Sequence, residues 1–349
     1  MHQDGNAILR GVSPTLQLVG ETVTTNVLWG CTTCGACIKE CPAFIDHISD
    51  IVSMRRFLVN EGMVDDKLQI SLANLGRYGN SFGKSGRLRA AWAKDSELEI
   101  KDASKEPVEY LWFVGDYASF SPSLIETTIK TAKVFQSAGI DFGILFDAER
   151  NTGNDVRRVG EEGLFEVLVE QNSKVLGKAD FKAIVTTDPH TYNTLKNEYP
   201  EDVINGRQIL HYSELLDQLI STGKLKLTKK LGLTVTYHDP CYLARYNGVV
   251  DAPRKVIEAT GCELVEMPRN RENGFCCGAG GGRIYLDEGT MKERPSENRI
   301  KEGAALPEVS TFVVACPKDI TMFQDAVKTT SLENKLVVKD LIELVYEAL

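Results

Sequence analysis

Eight of the nine cysteines in this 349-residue chain fall into two patterns. The first, "CTTCGACIKECP", spaces Cys31, Cys34, Cys37 and Cys41 as C-x2-C-x2-C-x3-C-P. That is the bacterial ferredoxin run, whose short loops turn thiolates onto one small iron–sulfur cubane. Zinc sites more often use two separated cysteine pairs. In two-cluster ferredoxins the fourth cysteine of a run ligates the other cluster. With a single run in this chain, a fourth ligand can come from Cys262, from a partner protein, or from a rearranged loop that uses Cys41. A three-iron cluster also satisfies the count.

The second pattern is C-x34-C-C-G-x37-C-P-x-D, set by Cys241, Cys276, Cys277, Cys316 and Asp319. Adjacent thiols make poor core fillers, and patterned cysteines in a reducing compartment bind metal or do redox chemistry more often than they pair. Four of the five residues after Cys277 are glycine. They let backbone amides approach an anionic cluster, so Gly278 and Gly280 are expected to bind cofactor. Arg245 and Arg283 are expected to offset its charge, with Arg254, Arg269 and Arg271 as further candidates. His238, in "YHDPC", is expected to orient a ligand rather than be one. Cys262, in "CELVEM", and His190, in the thiol-free half, read as structural.

These side chains need elements that bring them together. "FIDHISDIVSMRRFLVNEG" carries Ile48, Ile51, Val52 and Phe57 at helical spacing, which predicts a helix in a small helical domain over residues 1–80. Residues 81–107 are rich in glycine, serine and charge and read as a linker, with Lys84, Arg87, Arg89 and Lys94 on a solvated face. From residue 108 the chain alternates apolar strands with amphipathic helices, which predicts parallel sheets covered on both faces with sites beyond the strand ends. The scheme runs twice, over 108–228 and 229–349. In the second half Cys241, Cys276 and Cys316 follow strands. In the first half Asp116, Asn151 and Asp188 stand at the same offsets, and Thr191 matches Asp319. The first half is expected to be a duplicated site without sulfur ligands.

The totals set outer limits. A net charge of −9, from 49 acidic and 40 basic side chains, argues against nucleic acid or an anionic membrane as the main partner. No apolar run reaches the length of a bilayer span, and "MHQDGNAILRG" lacks a signal-peptide core. A cytoplasmic location is expected, with any membrane association through a partner.

The motifs "LWGCTTCGACIKECP", "VRRVGEEGLFEVLVEQN", "YHDPCYLARYNGVVDAPR" and "CCGAGGGR" resemble those of the heterodisulfide reductase D-like iron–sulfur oxidoreductases, also called cysteine-rich CCG-domain proteins. The resemblance is nearest to members associated with electron-transfer flavoprotein, and it runs over almost the whole chain from Trp29. It implies an α/β fold: a helical ferredoxin-type domain followed by two Rossmann-like halves. It implies iron–sulfur clusters, one of the 4Fe-4S ferredoxin type on Cys31, Cys34, Cys37 and Cys41, and one, noncubane in the heterodisulfide reductases, on Cys241, Cys276, Cys277 and Cys316. Such a unit passes electrons among a flavoprotein, a cytochrome or quinone partner, and sometimes a disulfide.

The chain departs from the family in several places. The family usually has two ferredoxin runs and often a membrane-anchoring N-terminal segment, whereas this sequence begins just before the second run. Asp116, Asn151, Asp188 and Thr191 stand where family members carry cysteines. Asp319 replaces the last cysteine; it can ligate iron, leave one iron open, or take no part. The first reading is an electron-transfer subunit of a larger redox complex. A catalytic thiol–disulfide reductase and a cluster-depleted scaffold are the alternatives.

Overall fold

The structure is a computed structural model and describes residues 17–96, 98–287 and 291–349. Four helices lead: Thr25–Gly30, Ala36–Glu40, His47–Asn60 and Asp66–Tyr78. Asp46 and Asp65 cap the last two by accepting from amides in their first turns, as short acidic side chains do at this position. The helix over 47–60 buries Ile48, Arg55 and Leu58 and leaves Phe57 exposed. Ile51 and Val52 are half-buried, so the expected face holds except at Phe57, and Arg55 extends it. Arg55 is buried there because its guanidinium meets the backbone carbonyls of Leu28, Cys31, Arg158 and Gly281.

Nine strands follow: β1 (Lys101–Asp102), β2 (Val108–Phe113), β3 (Phe142–Ile144), β4 (Phe181–Thr186), β5 (Gln208–His211), β6 (Thr234–Tyr237), β7 (Glu263–Leu264), β8 (Thr311–Val314) and β9 (Val337–Asp340). All ladders are parallel. The first sheet runs β1-β3-β2-β4-β5 and the second β7-β6-β8-β9. With β1 set aside, the two orders are the same pattern, so the repeat read from residue offsets is a repeat of topology. In each half the chain reverses its direction of travel beside the first long strand, and open α/β sheets bind ligands at the carboxyl ends flanking that point.

The halves share one apolar core. Trp112, Phe135 and Leu215 of the first half and Val235, Val256 and Leu344 of the second belong to a single buried cluster. Cys262 is buried in it, as expected of a structural residue. The C-terminal helix Leu341–Ala348 packs on Ile125–Ser137 across the division.

Residues 81–107 do not form the solvated spacer expected of them. β1 adds an edge strand to the first sheet, and Trp92 is buried with its ring 5.5 Å from that of Trp112. Arg89 is buried and donates to Asp116 and Glu149, each at 2.9 Å. The cause is electrostatic: Glu149 is committed to the amides of Val114 and Gly115 inside the sheet end, and a buried carboxylate needs a counter-charge. Lys84, Arg87 and Lys94 are exposed, as expected. Among the described residues no helix is long and apolar enough to cross a membrane.

Candidate metal centre

Cys276 is the hub of the sulfur constellation. Its thiol lies within hydrogen-bond reach of the Cys241, Cys277 and Cys34 thiols and of the Thr32 hydroxyl. Those contacts, Cys241 first, push Cys276 well below the usual thiol range. Its neighbours move the other way. Cys241, Cys277 and Cys34 are each raised, first by sharing a proton with Cys276 and then by burial. Thiols gathered around Cys276 suit a soft metal, since metals bind cysteine as thiolate and displace its proton. The amides of Gly278 and Ala279 point at the Cys276 and Cys277 sulfurs, at 3.3 and 3.5 Å.

Topology explains the convergence. Cys241 opens the turn after β6, and Cys276 and Cys277 lie on the long connection after β7. Cys34 comes from the other end of the chain and was expected only in the ferredoxin run. It is carried there by a docked loop. The Arg55 guanidinium ties the carbonyls of Leu28, Cys31, Arg158 and Gly281 together. Arg245 joins the carbonyls of Cys34 (2.8 Å), Glu272 and Gly274. Tyr246 donates to the Thr33 carbonyl at 2.8 Å, and Tyr242 meets the Thr33 hydroxyl at 2.9 Å. The two tyrosine rings stack 4.6 Å apart.

The glycine-rich loop owes its composition to this docking. A Cβ on Gly280 would stand 2.6 Å from the Thr32 carbonyl oxygen, and one on Gly281 3.0 Å from that of Cys31. The first is closer than a side chain tolerates and the second is tight at a φ of +63°, so the glycines make room for the first cysteine loop. Thr33 bears the matching conformational cost, with φ of +53° at a β-branched residue, a sparsely populated region.

The remaining expected ligands are placed as follows. Cys31 and Cys41 are partly exposed and Cys37 is exposed, so this edge of the run faces outward. Asp319 is buried, and a ligating oxygen of it lies within 4.8 Å of the Cys277 sulfur and a His238 ring nitrogen. Its Oδ2 has no hydrogen-bond partner, and burial lifts the carboxyl to about 8. His238 accepts from Arg299 on Nδ1 at 3.3 Å, which puts the ring proton on Nε2, 3.6 Å from that oxygen. Cys316 is buried at the seam between the halves, with its sulfur grouped with ligand atoms of Asp188 and His190. Arg245 and Arg283 face the cysteine loops, the latter through the Trp29 carbonyl. Arg254, Arg269 and Arg271 are instead paired with Asp239 and Glu266, with Glu302, and with Asp251.

This donor set fits an iron–sulfur cluster. It offers soft sulfur ligands, amides aimed at sulfur, and a buried carboxylate oxygen without a partner, which is the kind of orphan a ligand satisfies. Arg55, Thr32, Tyr242 and Tyr246 were missed by sequence reasoning. The tyrosines had a signal, since Tyr242, Arg245 and Tyr246 follow Cys241 at spacings that share a helical face.

At the first-half counterpart, Asp116 accepts from Arg89, Asn151 and the Ser81 amide. Thr191 donates to Asp188 at 3.0 Å. Lys318, from the second half, reaches across and pairs with Asp155. Burial alone would raise Asp155, but Lys318 and His190 outweigh it and hold the carboxyl below its usual range.

A family profile described as "Cysteine-rich domain" matches twice, over residues 112–196 and 235–323. The "Probable iron-sulfur-binding oxidoreductase FadF" of Bacillus subtilis is 39% identical over 95% of this chain and 48% of its own length. The "EtfAB:quinone oxidoreductase" of Syntrophomonas wolfei is 36% identical with the same coverage. A polypeptide of the dihydromethanophenazine:CoB--CoM heterodisulfide reductase of Methanosarcina barkeri is 31% identical over 92% of this chain and 77% of its own length. The chain thus spans about half the length of the first two relatives.

Proposed function

The chain belongs to the cysteine-rich CCG-domain family, and from that membership and its site we propose that it is an iron–sulfur electron-transfer component of a multi-subunit redox complex. Cys31, Cys34, Cys37 and Cys41 hold a 4Fe-4S cluster of the ferredoxin type. Cys241, Cys276, Cys277, Cys316 and Asp319 hold the CCG-type cluster. Such clusters supply one-electron chemistry at potentials set by thiolate ligation, hydrogen bonds to sulfur and exposure.

The observation that carries this reading is the meeting of Cys34 with Cys276. A ligand of one motif touches a ligand of the other, so the two sites adjoin without an intervening layer of protein. The chain's residues hold that junction in place. Arg55 and Arg245 fasten the loops, the stacked Tyr242 and Tyr246 shield the inner side, and the glycine loop lets the two backbones approach. Exposed Cys37 marks the side on which a partner gives or takes electrons. One relative's name, EtfAB:quinone oxidoreductase, favours EtfAB or a quinone-linked protein as that neighbour.

Anaerobic purification with iron and acid-labile sulfide analysis, followed by EPR, tests the reading. Two distinct cluster signals in one chain are expected, and fewer than two irons per chain would leave only a scaffold. A thiol–disulfide reductase is the second reading, favoured by the unpartnered Asp319 oxygen beside Cys277. Turnover of a heterodisulfide with reduced viologen and no partner would support it over the relay.

A further inference from the structure

Thr32 lies between the two sulfur atoms at which the motifs meet. Its hydroxyl oxygen accepts from the Cys276 thiol at 3.2 Å and lies within hydrogen-bond reach of the Cys34 sulfur; once these sulfurs are metal-bound thiolates they carry no proton, and the hydroxyl becomes the donor. We propose that this single hydroxyl is shared by the two centres, donating its one proton to whichever sulfur carries more negative charge, and so favours the first reduction over the second. The inference rests on the electron-transfer reading above and adds a positioning residue to it.

Three observations support the assignment. A threonine hydroxyl carries one proton and so donates to one acceptor at a time, while its rotor lets it choose. The loop that carries it is fixed from both sides: Gly280 and Gly281 pack against its backbone, and Tyr242 and Tyr246 hold Thr33. The oxygen therefore stays between the sulfurs whichever way the proton turns. Thr32 also lines a cavity of about 100 Å³ with Gly30, Gly278 and Arg283, which leaves the proton open to exchange with solvent. Charge-assisted donation to sulfur stabilises the reduced, more negative state. An electron arriving on one side would draw the proton there and withdraw it from the other, making successive reductions compete.

The test is potentiometric EPR on the full chain carrying Thr32→Val, with Thr32→Ala as a second hydroxyl-free variant and Thr32→Ser as the rescue. Iron and sulfide content per chain are measured alongside. Wild-type protein lacking two clusters would overturn the electron-transfer reading and this inference with it. With both clusters present, the expected result in the Val and Ala variants is a lower potential for the first reduction and a narrower gap to the second, with recovery in the Ser variant and iron content equal to wild type. An exchangeable deuteron coupling seen by pulsed EPR after transfer to D2O should vanish with the hydroxyl. Unchanged potentials, or an equal fall at both centres, would overturn the sharing while leaving the relay intact. Loss of a cluster in all three variants would assign Thr32 a purely structural role and overturn the inference as well.

Discussion

Beyond β6, β7 and β8, sulfur atoms crowd around Cys276 and the Asp319 Oδ2 has no partner. Beyond β2, β3 and β4, in a half of the same topology, Asp116, Asn151 and Thr191 are bonded within the protein, and a lysine from the other half fills the neighbourhood. The same backbone supports two chemical outcomes. At one set of strand ends a carboxyl oxygen lacks a partner, and at the other Asp116 and Asp155 are tied up by hydrogen bonds and an ammonium group. The difference lies in satisfaction rather than shape. The buried Asp319 Oδ2 has no partner, the kind of orphan a ligand satisfies, whereas the matching Asp116 and Thr191 side chains are paired within the protein.

The largest effect should come from removing the hub. Cys276→Ala takes away the thiolate on which Cys34, Cys241 and Cys277 converge. The CCG-centre EPR signal should disappear, and iron per chain should fall by that centre's share. Asn151→Ala, the counterpart in the first half, should leave both unchanged. Iron loss in Asn151→Ala would mean that the two halves had been contrasted wrongly.

Next is the ammonium that closes the first half. Lys318→Met leaves Asp155 buried without its cation, and breaking a buried pair from one side costs roughly 3–5 kcal/mol. Chemical denaturation should show that loss, and the double variant Lys318→Met/Asp155→Asn should recover much of it. A cost below about 1 kcal/mol would show that water replaces the lysine and that the first half is less closed than it looks.

The clamp between the halves and the cysteine run comes third. Arg55→Met strands buried carbonyls of Leu28 and Gly281, at about 1–3 kcal/mol for each group left unpaired. The cut should fall locally: limited proteolysis should release the segment before residue 60 while the two sheets persist. Uniform unfolding would indicate that the helices and sheets form one cooperative unit.

Much of this was legible in sequence, and for a physical reason. Cluster ligands are constrained by spacing, so both cysteine patterns and the strand–helix repeat could be read directly, and each long strand expected on apolar content is present. The short edge strands β1, β5 and β9 were not read. The pair Lys101–Asp102 carries no apolar signal, and pairing alone makes it a strand. Arg55 and Arg89 were missed as buried groups because a charge in an amphipathic or polar stretch looks solvated until its partners, here distant carbonyls and carboxylates, are known. The presence of Cys34 at the second motif was invisible for the same cause. Its contact spans more than two hundred residues, and local patterns carry no information over that distance.

The smallest expected effect sharpens the comparison away from the sulfur. His211 ends β5 and Asp340 ends β9, and each begins a helix whose third residue, Glu214 or Glu343, accepts from its backbone amide at 2.9 Å. These matched caps titrate in opposite senses. Burial pushes His211 down to about 3 and lifts Asp340 to about 7, the latter while accepting from the Tyr212 hydroxyl at 2.6 Å. An unfolded histidine titrates near 6.5 and an unfolded aspartate near 3.9. Between roughly pH 3 and 6.5 the unfolded chain binds a proton that native His211 refuses, so this residue makes stability rise with pH. Between roughly pH 4 and 7 native Asp340 keeps a proton the unfolded chain has lost, so it makes stability fall with pH, and the two slopes oppose across their overlap. Urea melts from pH 5 to 6.5 should therefore separate the variants. Relative to wild type, Asp340→Asn should gain a positive slope of up to about 1.4 kcal/mol per pH unit and His211→Asn a negative one of similar size. Parallel pH profiles for the two variants would show that the matched caps do not differ in protonation, and that the contrast between the halves is confined to the metal centre.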